Sequence, residues 1–299
     1  MESHAALHQE ADTMKIALIC GGGVLPRDVA HALLAKQADF VVVRLAGEAD
    51  TDIALPDHVA VKTIGWGQIG KFLDFLKVQQ CTHVLAVGGV TKRPDLPALK
   101  FDFGGVKILP ELLSVLVGGD DAVLANVANS FEKRGYGVVG VLEAVPDLAC
   151  PVGLISSNKV RKFPNEDIEL ARKAALAAGQ LDMGQGAVVA ASRVIAMEGP
   201  EGTSEMLARV SDIAAAKRAR WKTGQGVLVK CAKPKQDIRF DVPVIGPSTI
   251  LQVKDAGLAG IALEAGKVLL LERDKLLQLA DKENIFVLGV SFDETEVLT

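Results

Sequence analysis

The chain has 299 residues, of which 49% are hydrophobic, 23% charged and only 4% aromatic, and its formal net charge is −4. That length accommodates two domains of roughly 130 residues each, with cores built from Val, Leu, Ile and Ala. Slight acidity and the lack of any dense Lys/Arg block exclude binding to nucleic acid by bulk electrostatics, and no uncharged apolar run reaches the ~20 residues of a membrane span.

Residues 1–13 are polar and aperiodic and read as a disordered extension. Lys15 to Cys20 (KIALIC) is the first strand, ending at Gly21-Gly22-Gly23 and followed by helical spacing from Pro26 to Lys36. Phe40 to Leu45 is a second strand. A helix over Gly67–Val78 leads to a third strand at His83–Val87, ending at Gly88-Gly89. Asp121 to Lys133 reads as a helix and Tyr136 to Leu142 as a strand. Strands alternating with helices predict an α/β fold with a parallel, doubly wound sheet over 14–145.

Three prolines and little periodicity mark 146–165 as an inter-domain linker. The second α/β domain, 166–299, opens with a helix from Glu166 to Gly179 capped by Asn165. Strand character follows over Gly186–Met197, then a helix over Ser204–Arg218 and a strand over Gly226–Cys231. Ile238 to Ile245 alternates like a strand. A helix near Ser248–Ala256, a strand pair around Ile261–Leu271 and a last strand at Ile285–Val290 complete the half.

Several loops offer binding chemistry. Gly21-x-Gly23-x-x-Pro26 lies where a dinucleotide fingerprint would lie, but its third glycine is replaced by Pro26. Arg44 stands at the end of the second strand, where an NAD-binding chain carries an acid. Gly22, Gly23 and Leu25 are therefore candidates for phosphate contact, against a plain turn-and-cap role. Thr91, Lys92 and Arg93 follow Gly88-Gly89 and could meet an anion, or form a solvated loop. Asp120 lies at the start of a helix and is either its cap or a polar contact. Glu198, Gly199 and Thr203 belong to the turn MEGPEGT (Met197 to Thr203), which could receive a phosphate or sugar.

The segment from Lys233 to Thr249 is the richest. On a strand, Asp237, Arg239 and Asp241 share one face at period two. Lys233, Lys235, Gln236 and Arg239 surround the two carboxylates, and Pro234 and Pro243 bound them. Hydrolysis of a phosphoric anhydride needs cations against developing charge and a carboxylate that orients water or holds a metal. Asp237, Arg239 and Asp241 are the candidate catalytic residues, with Asp237 the candidate metal ligand. Lys233, Gln236 and Thr249 are candidate substrate contacts. A solvated charged face is the plainer alternative. The five histidines form no HxH or HExxH pair, and the four cysteines have no CxxC spacing, so they read as buried small hydrophobes.

Taken together, GGGxLP (Gly21 to Pro26), GGVTKRP (Gly88 to Pro94), GGDD (Gly118 to Asp121), MEGPEGT and KPxQDxRxDxPxxGxxT (Lys233 to Thr249) are specific. The chain resembles, over 14–291, the UDP-2,3-diacylglucosamine pyrophosphatase family of lipid A biosynthesis that is unrelated to the metallophosphatase version. The last motif shows no departure from the family pattern. The resemblance implies a Rossmann-like N-terminal domain, an α/β C-terminal domain and a lipid bound between them. It implies cleavage to UMP and 2,3-diacylglucosamine 1-phosphate by water attack on the β-phosphate, with support from a divalent cation such as Mg²⁺. The matching aspartate is Asp237, as base or metal ligand. A cytoplasmic enzyme with peripheral contact to the inner membrane, working as a homo-oligomer such as a dimer, is the accompanying expectation. The rival readings are an NADP-dependent oxidoreductase using Arg44 and a non-catalytic UDP-sugar or lipid sensor.

Overall fold

The computed structural model describes residues 14–49, 52–90, 102, 120–157, 163–219, 221–234 and 237–292. The expected extension at 1–13 and the candidate contacts Thr91, Lys92, Arg93 and Gln236 lie outside them. The chain divides into two compact units. The first comprises residues 1–145 together with Asp237–Phe240, and the second comprises 146–236 and 241–299.

The first unit is built on β1 (Lys15–Cys20), α1 (Leu25–Ala35), β2 (Asp39–Leu45), β3 (Val61–Ile64), α2 (Ile69–Val78) and β4 (His83–Val87). α3 (Asp120–Glu132), β5 (Gly137–Val138) and α4 (Val141–Ala144) complete it. Its five strands pair in parallel in the order β3-β2-β1-β4-β5. The order reverses direction between β1 and β4, the place in open parallel sheets where ligands collect beyond the strand ends. Ala17, Ile19, Val41, Val43 and Val84 form one core with Ile64 and Leu76, while Ile16 and Leu18, on the opposite side of β1, are equally buried. Burial on both faces explains why β1 reads as a continuous apolar run without alternation. Each buried Val, Leu or Ile side chain among these contributes about 1.5–3 kcal/mol of hydrophobic stabilisation.

The second unit opens with a 3-10 turn at Pro146–Leu148 and β6 (Gly153–Leu154), both within the stretch expected as a linker. α5 (Asn165–Gln180), β7 (Gly186–Ala190), β8 (Arg193–Met197), α6 (Gly202–Ala215), β9 (Val227–Lys230) and β10 (Val244–Ile245) follow. The unit ends with α7 (Pro247–Asp255), β11 (Gly260–Glu264), β12 (Leu269–Leu270), α8 (Arg273–Glu283) and β13 (Phe286–Val290). Its main sheet has the order β6-β13-β11-β9-β7-β8. β9, β11 and β13 are parallel, and β6, β7 and β8 run antiparallel to their neighbours.

Alternate residues of these strands feed two cores. Val188, Leu228, Ile261, Leu263 and Val287 pack with Met206, Leu207, Ile250, Val253 and Leu276 from α6, α7 and α8. Ala187, Val189, Val227, Val229 and Ala262 pack with Ile168, Ala171 and Ala175 from α5. The sheet is thus covered on both faces, as its apolar strands require.

The structure corrects several expectations. Gly186–Met197 is a hairpin, because Ala191 and Ser192 both adopt positive φ, 52° and 59°, and reverse the chain in two residues. Asn165 is the first residue of α5, not its cap. Tyr136–Leu142 holds only a two-residue strand before the chain turns into α4. The stretch Ile261–Leu271 is no pair, since β11 joins the main sheet while β12 pairs with β10. Most consequential, Ile238–Val242 is not a strand.

Candidate functional site

In the first unit, the carboxyl ends of β1 and β4 meet through their glycines. Gly21 N donates to Val87 O at 2.8 Å, Gly22 N to Gly89 O at 2.8 Å, and Gly89 N to Gly22 O at 3.0 Å. A Cβ on Gly21 would sit 2.5 Å from Gly89 O, so glycine is required here by close approach of two backbones. Gly88, at φ +92°, has the same constraint from Gly22 O at 2.7 Å. Gly22 and Gly23 therefore lie in a turn fixed by its neighbour, with Gly23 at φ +88° and Leu25 opening α1. Pro26 stands in the first turn of that helix, where its missing N–H costs nothing. Arg44, one residue before the end of β2, holds its guanidinium 3.0 Å from Asp52.

The turn Asp237–Phe240 carries the expected catalytic pair. Phe240 N donates to Asp237 O at 3.0 Å, closing the turn. Asp237 Oδ1 accepts from Arg239 N at 3.1 Å, an aspartate bonding the backbone two residues on. The Arg239 guanidinium grips the same carboxylate, with Nε 3.0 Å from Oδ1 and Nη2 2.8 Å from Oδ2. This local bonding competes with a strand ladder and wins, so the period-two reading fails. Nη1 of Arg239 reaches Glu132 Oε1 at 2.8 Å. Gly140 lies beneath the turn: a Cβ there would be 2.8 Å from Arg239 Cα. The Arg239 hydrogen bonds hold the Asp237 carboxyl below the ordinary carboxylate range, and the two acids keep the guanidinium charged.

Asp241, expected on the same face, belongs to the second unit. There it accepts from Gln185 Nε2 at 3.3 Å and lies 3.8 Å from Lys233 Nζ, which also pairs with Asp182 at 2.7 Å. Glu198 and Thr203 come together as expected. Thr203 Oγ1 donates to Glu198 Oε1 at 2.8 Å. Both meet a side chain that the sequence reading missed: Lys230 Nζ donates to Thr203 Oγ1 at 2.7 Å and lies 3.8 Å from Glu198 Oε2. Gly199 precedes the helix α6 in the same turn, where Gly202 N donates to Gly199 O at 3.0 Å. Thr249 is buried and spends its hydroxyl on the start of α7, accepting from Gly246 N at 3.3 Å. Asp120 opens α3.

These features define a two-unit α/β protein with glycine turns at the ends of two parallel strands of the first unit and carboxylate–cation clusters in each unit. The sequence description "LpxI N-terminal domain" matches residues 15–148 and "LpxI C-terminal domain" matches 151–288. The chain is also 40% identical over 282 residues to the UDP-2,3-diacylglucosamine pyrophosphatase LpxI of Caulobacter vibrioides, covering 94% of this chain and 99% of that relative. The chain belongs to the LpxI family. Among the described residues, no helix is long and apolar enough to cross a membrane.

Proposed function

We propose that this protein is a hydrolase that cleaves the pyrophosphate of UDP-2,3-diacylglucosamine in lipid A biosynthesis, giving 2,3-diacylglucosamine 1-phosphate and UMP. The observation that carries the proposal is the 40% identity over nearly the whole of both chains to a pyrophosphatase of that substrate. The same similarity favours this reading over the NADP-dependent oxidoreductase and the non-catalytic sensor.

In the proposed reaction a water oxygen bonds to the β-phosphorus and the bond from that phosphorus to the bridging oxygen breaks. UMP leaves with the bridging oxygen, and the water proton passes to solvent or to a phosphate oxygen. Phosphoryl transfer of this kind proceeds through a loose transition state that asks for positioning and charge more than for strong proton abstraction. Asp237 suits that demand. Held ionised by Arg239, it is a weak base but a fixed hydrogen-bond acceptor for water. Arg239 supplies the cation that opposes developing charge.

Mg²⁺ is part of the proposal only as a companion of the substrate phosphates, a mode in which the substrate supplies many of the ligands. Both Asp237 oxygens are engaged by Arg239, and among the described residues no three His, Cys, Asp or Glu side chains gather to hold a metal. As arranged, Asp237 does not fit a metal-ligand role. Action at the cytoplasmic face of the inner membrane, by peripheral contact and as a homo-oligomer, completes the proposal because the substrate carries acyl chains.

The test is hydrolysis of UDP-2,3-diacylglucosamine in ¹⁸O water, with and without Mg²⁺. Label in the lipid phosphate is the expected result. Label in UMP overturns attack at the β-phosphorus, and absence of turnover under all conditions overturns the function.

A further inference from the structure

A lysine at the end of an otherwise apolar strand needs a reason. Lys230 closes β9, whose other residues are Val227, Leu228 and Val229, and it is only 5% exposed. Burying an ammonium is unfavourable unless it is paired and hydrogen-bonded. Its partners come from two separate stretches of chain: Thr203 Oγ1 at 2.7 Å and Val244 O at 3.4 Å, with Glu198 Oε2 at 3.8 Å. Thr203 accepts from the lysine and donates to Glu198, so ammonium, hydroxyl and carboxylate form one chain of contacts.

Glu198 is fixed through its backbone as well, and its carboxylate packs closely on Gly186. Glu198 N donates to Gly186 O at 2.8 Å, and a Cβ on Gly186 would lie 2.6 Å from Glu198 Oε2. That oxygen is buried and makes no hydrogen bond, which leaves the lysine charge as its compensation. Burial lowers the pKa of Lys230, while Glu198 and Asp241 act to raise it.

Stability alone does not call for this arrangement, because apolar residues of similar volume often replace a buried ion pair without loss. Its location does suggest a reason. β9 is parallel to β11, and ligands gather beyond the carboxyl ends of such strands. Lys230 stands at that end, where the chain enters the segment that leads to Asp237 and Asp241.

We infer that Lys230 is a positioning residue for the hydrolysis, fixing Glu198 and the turn Met197–Thr203 against the end of β9 and the backbone at Val244. The inference rests on the pyrophosphatase reading of the site. Lys230 acts through Glu198 and does not touch the substrate.

The experiment is a double-mutant cycle of Lys230→Met and Glu198→Met on the full chain, reading kcat, KM and Tm. Each single variant leaves one buried charge unpaired and lowers Tm, and the double variant recovers much of that loss. Each single variant is expected to lower kcat by about 100-fold, the scale of a misplacement of order 1 Å, with KM changed much less. Because the two residues act as a unit, the double variant falls no further than the worse single. Lys230→Arg, which keeps the charge but not the geometry toward Thr203, provides a folded comparison and loses kcat as well. Wild-type kcat in both Lys230→Met and Lys230→Arg overturns the inference, as does multiplication of the two single losses in the double variant. Absence of turnover by the wild-type chain overturns the pyrophosphatase reading instead.

Discussion

Glu132, the last residue of α3, receives Nη1 of Arg239 at 2.8 Å across 107 residues of sequence. The other edge of the same guanidinium holds Asp237. Arg239 is thus fixed from two sides by acids, and its planar fork leaves it little freedom to rotate. Both partners in the longer-range pair are partly exposed, with side chains 34% and 45% accessible, so the pair adds little to stability. Its effect is orientation.

Glu132→Ala is therefore expected to change unfolding stability by less than about 1 kcal/mol while lowering kcat by roughly tenfold through loss of positioning. The same cycle with Arg239→Met gives a non-additive result, because the residues act through one contact. Denaturant melts and steady-state kinetics on the two singles and the double test this. Additive kinetic losses would show the pair to be incidental.

Asp237→Ala should abolish most hydrolysis, by orders of magnitude, while UDP-2,3-diacylglucosamine still binds. Equilibrium binding by calorimetry, set beside turnover, separates the two. Unchanged turnover refutes the assignment.

The pH dependence follows from the same contact. The folded Asp237 carboxyl titrates below its unfolded value, which is about 3.9. Its ion-pair contribution to stability is fully present above that value and is lost as pH falls through the lower folded one. The acid limb of kcat that belongs to this group should accordingly lie below the ordinary carboxylate range. Arg239→Gln removes the bonds that depress it, and the limb should move upward. A pH–rate series on both proteins measures the shift; an unmoved limb assigns it to another group.

Gly21→Ala places a methyl against Gly89 O, an approach that backbone cannot yield cheaply. It is expected to separate the two glycine turns and lower Tm. Gly140→Ala presses on the Arg239 backbone instead and should reduce kcat more than Tm. Thermal melts beside activity distinguish the two outcomes.

The buried cysteines make a simpler prediction. Burial pushes Cys20 and Cys150 up to about 12, so neither forms appreciable thiolate at pH 8, and the thiolate is the reactive form. Iodoacetamide should leave both unmodified in the native protein and alkylate both after unfolding, as intact mass will show.

Much of the sheet architecture was legible because its strands are buried on both faces. KIALIC and HVLAV give β1 and β4 to the residue. β3 was missed because VKTI is exposed at three of its four positions and carries no apolar run. The helix α8 was missed because RDKLLQLADKE is mostly charged and buries only Leu276 and Ala280. At the site, Asp237 and Arg239 were visible as a pair, but alternation suggested a strand where side-chain bonding to backbone makes a turn. Lys230 and Glu132 gave no signal at all. A single lysine ending VLVK, or a single acid ending a helix, acquires meaning only from partners far along the chain.

The return of Asp237–Phe240 to the first unit has a consequence for how this protein can be divided. A fragment ending at Val145 keeps Glu132 and loses the arginine that Glu132 holds. A fragment starting at Pro146 carries that arginine without its acid. Recombination at this apparent boundary would exchange neither half as a working cassette, and co-expressed halves would regain the pair only by threading four residues back into place. The two units have separate cores, but they share one inheritance.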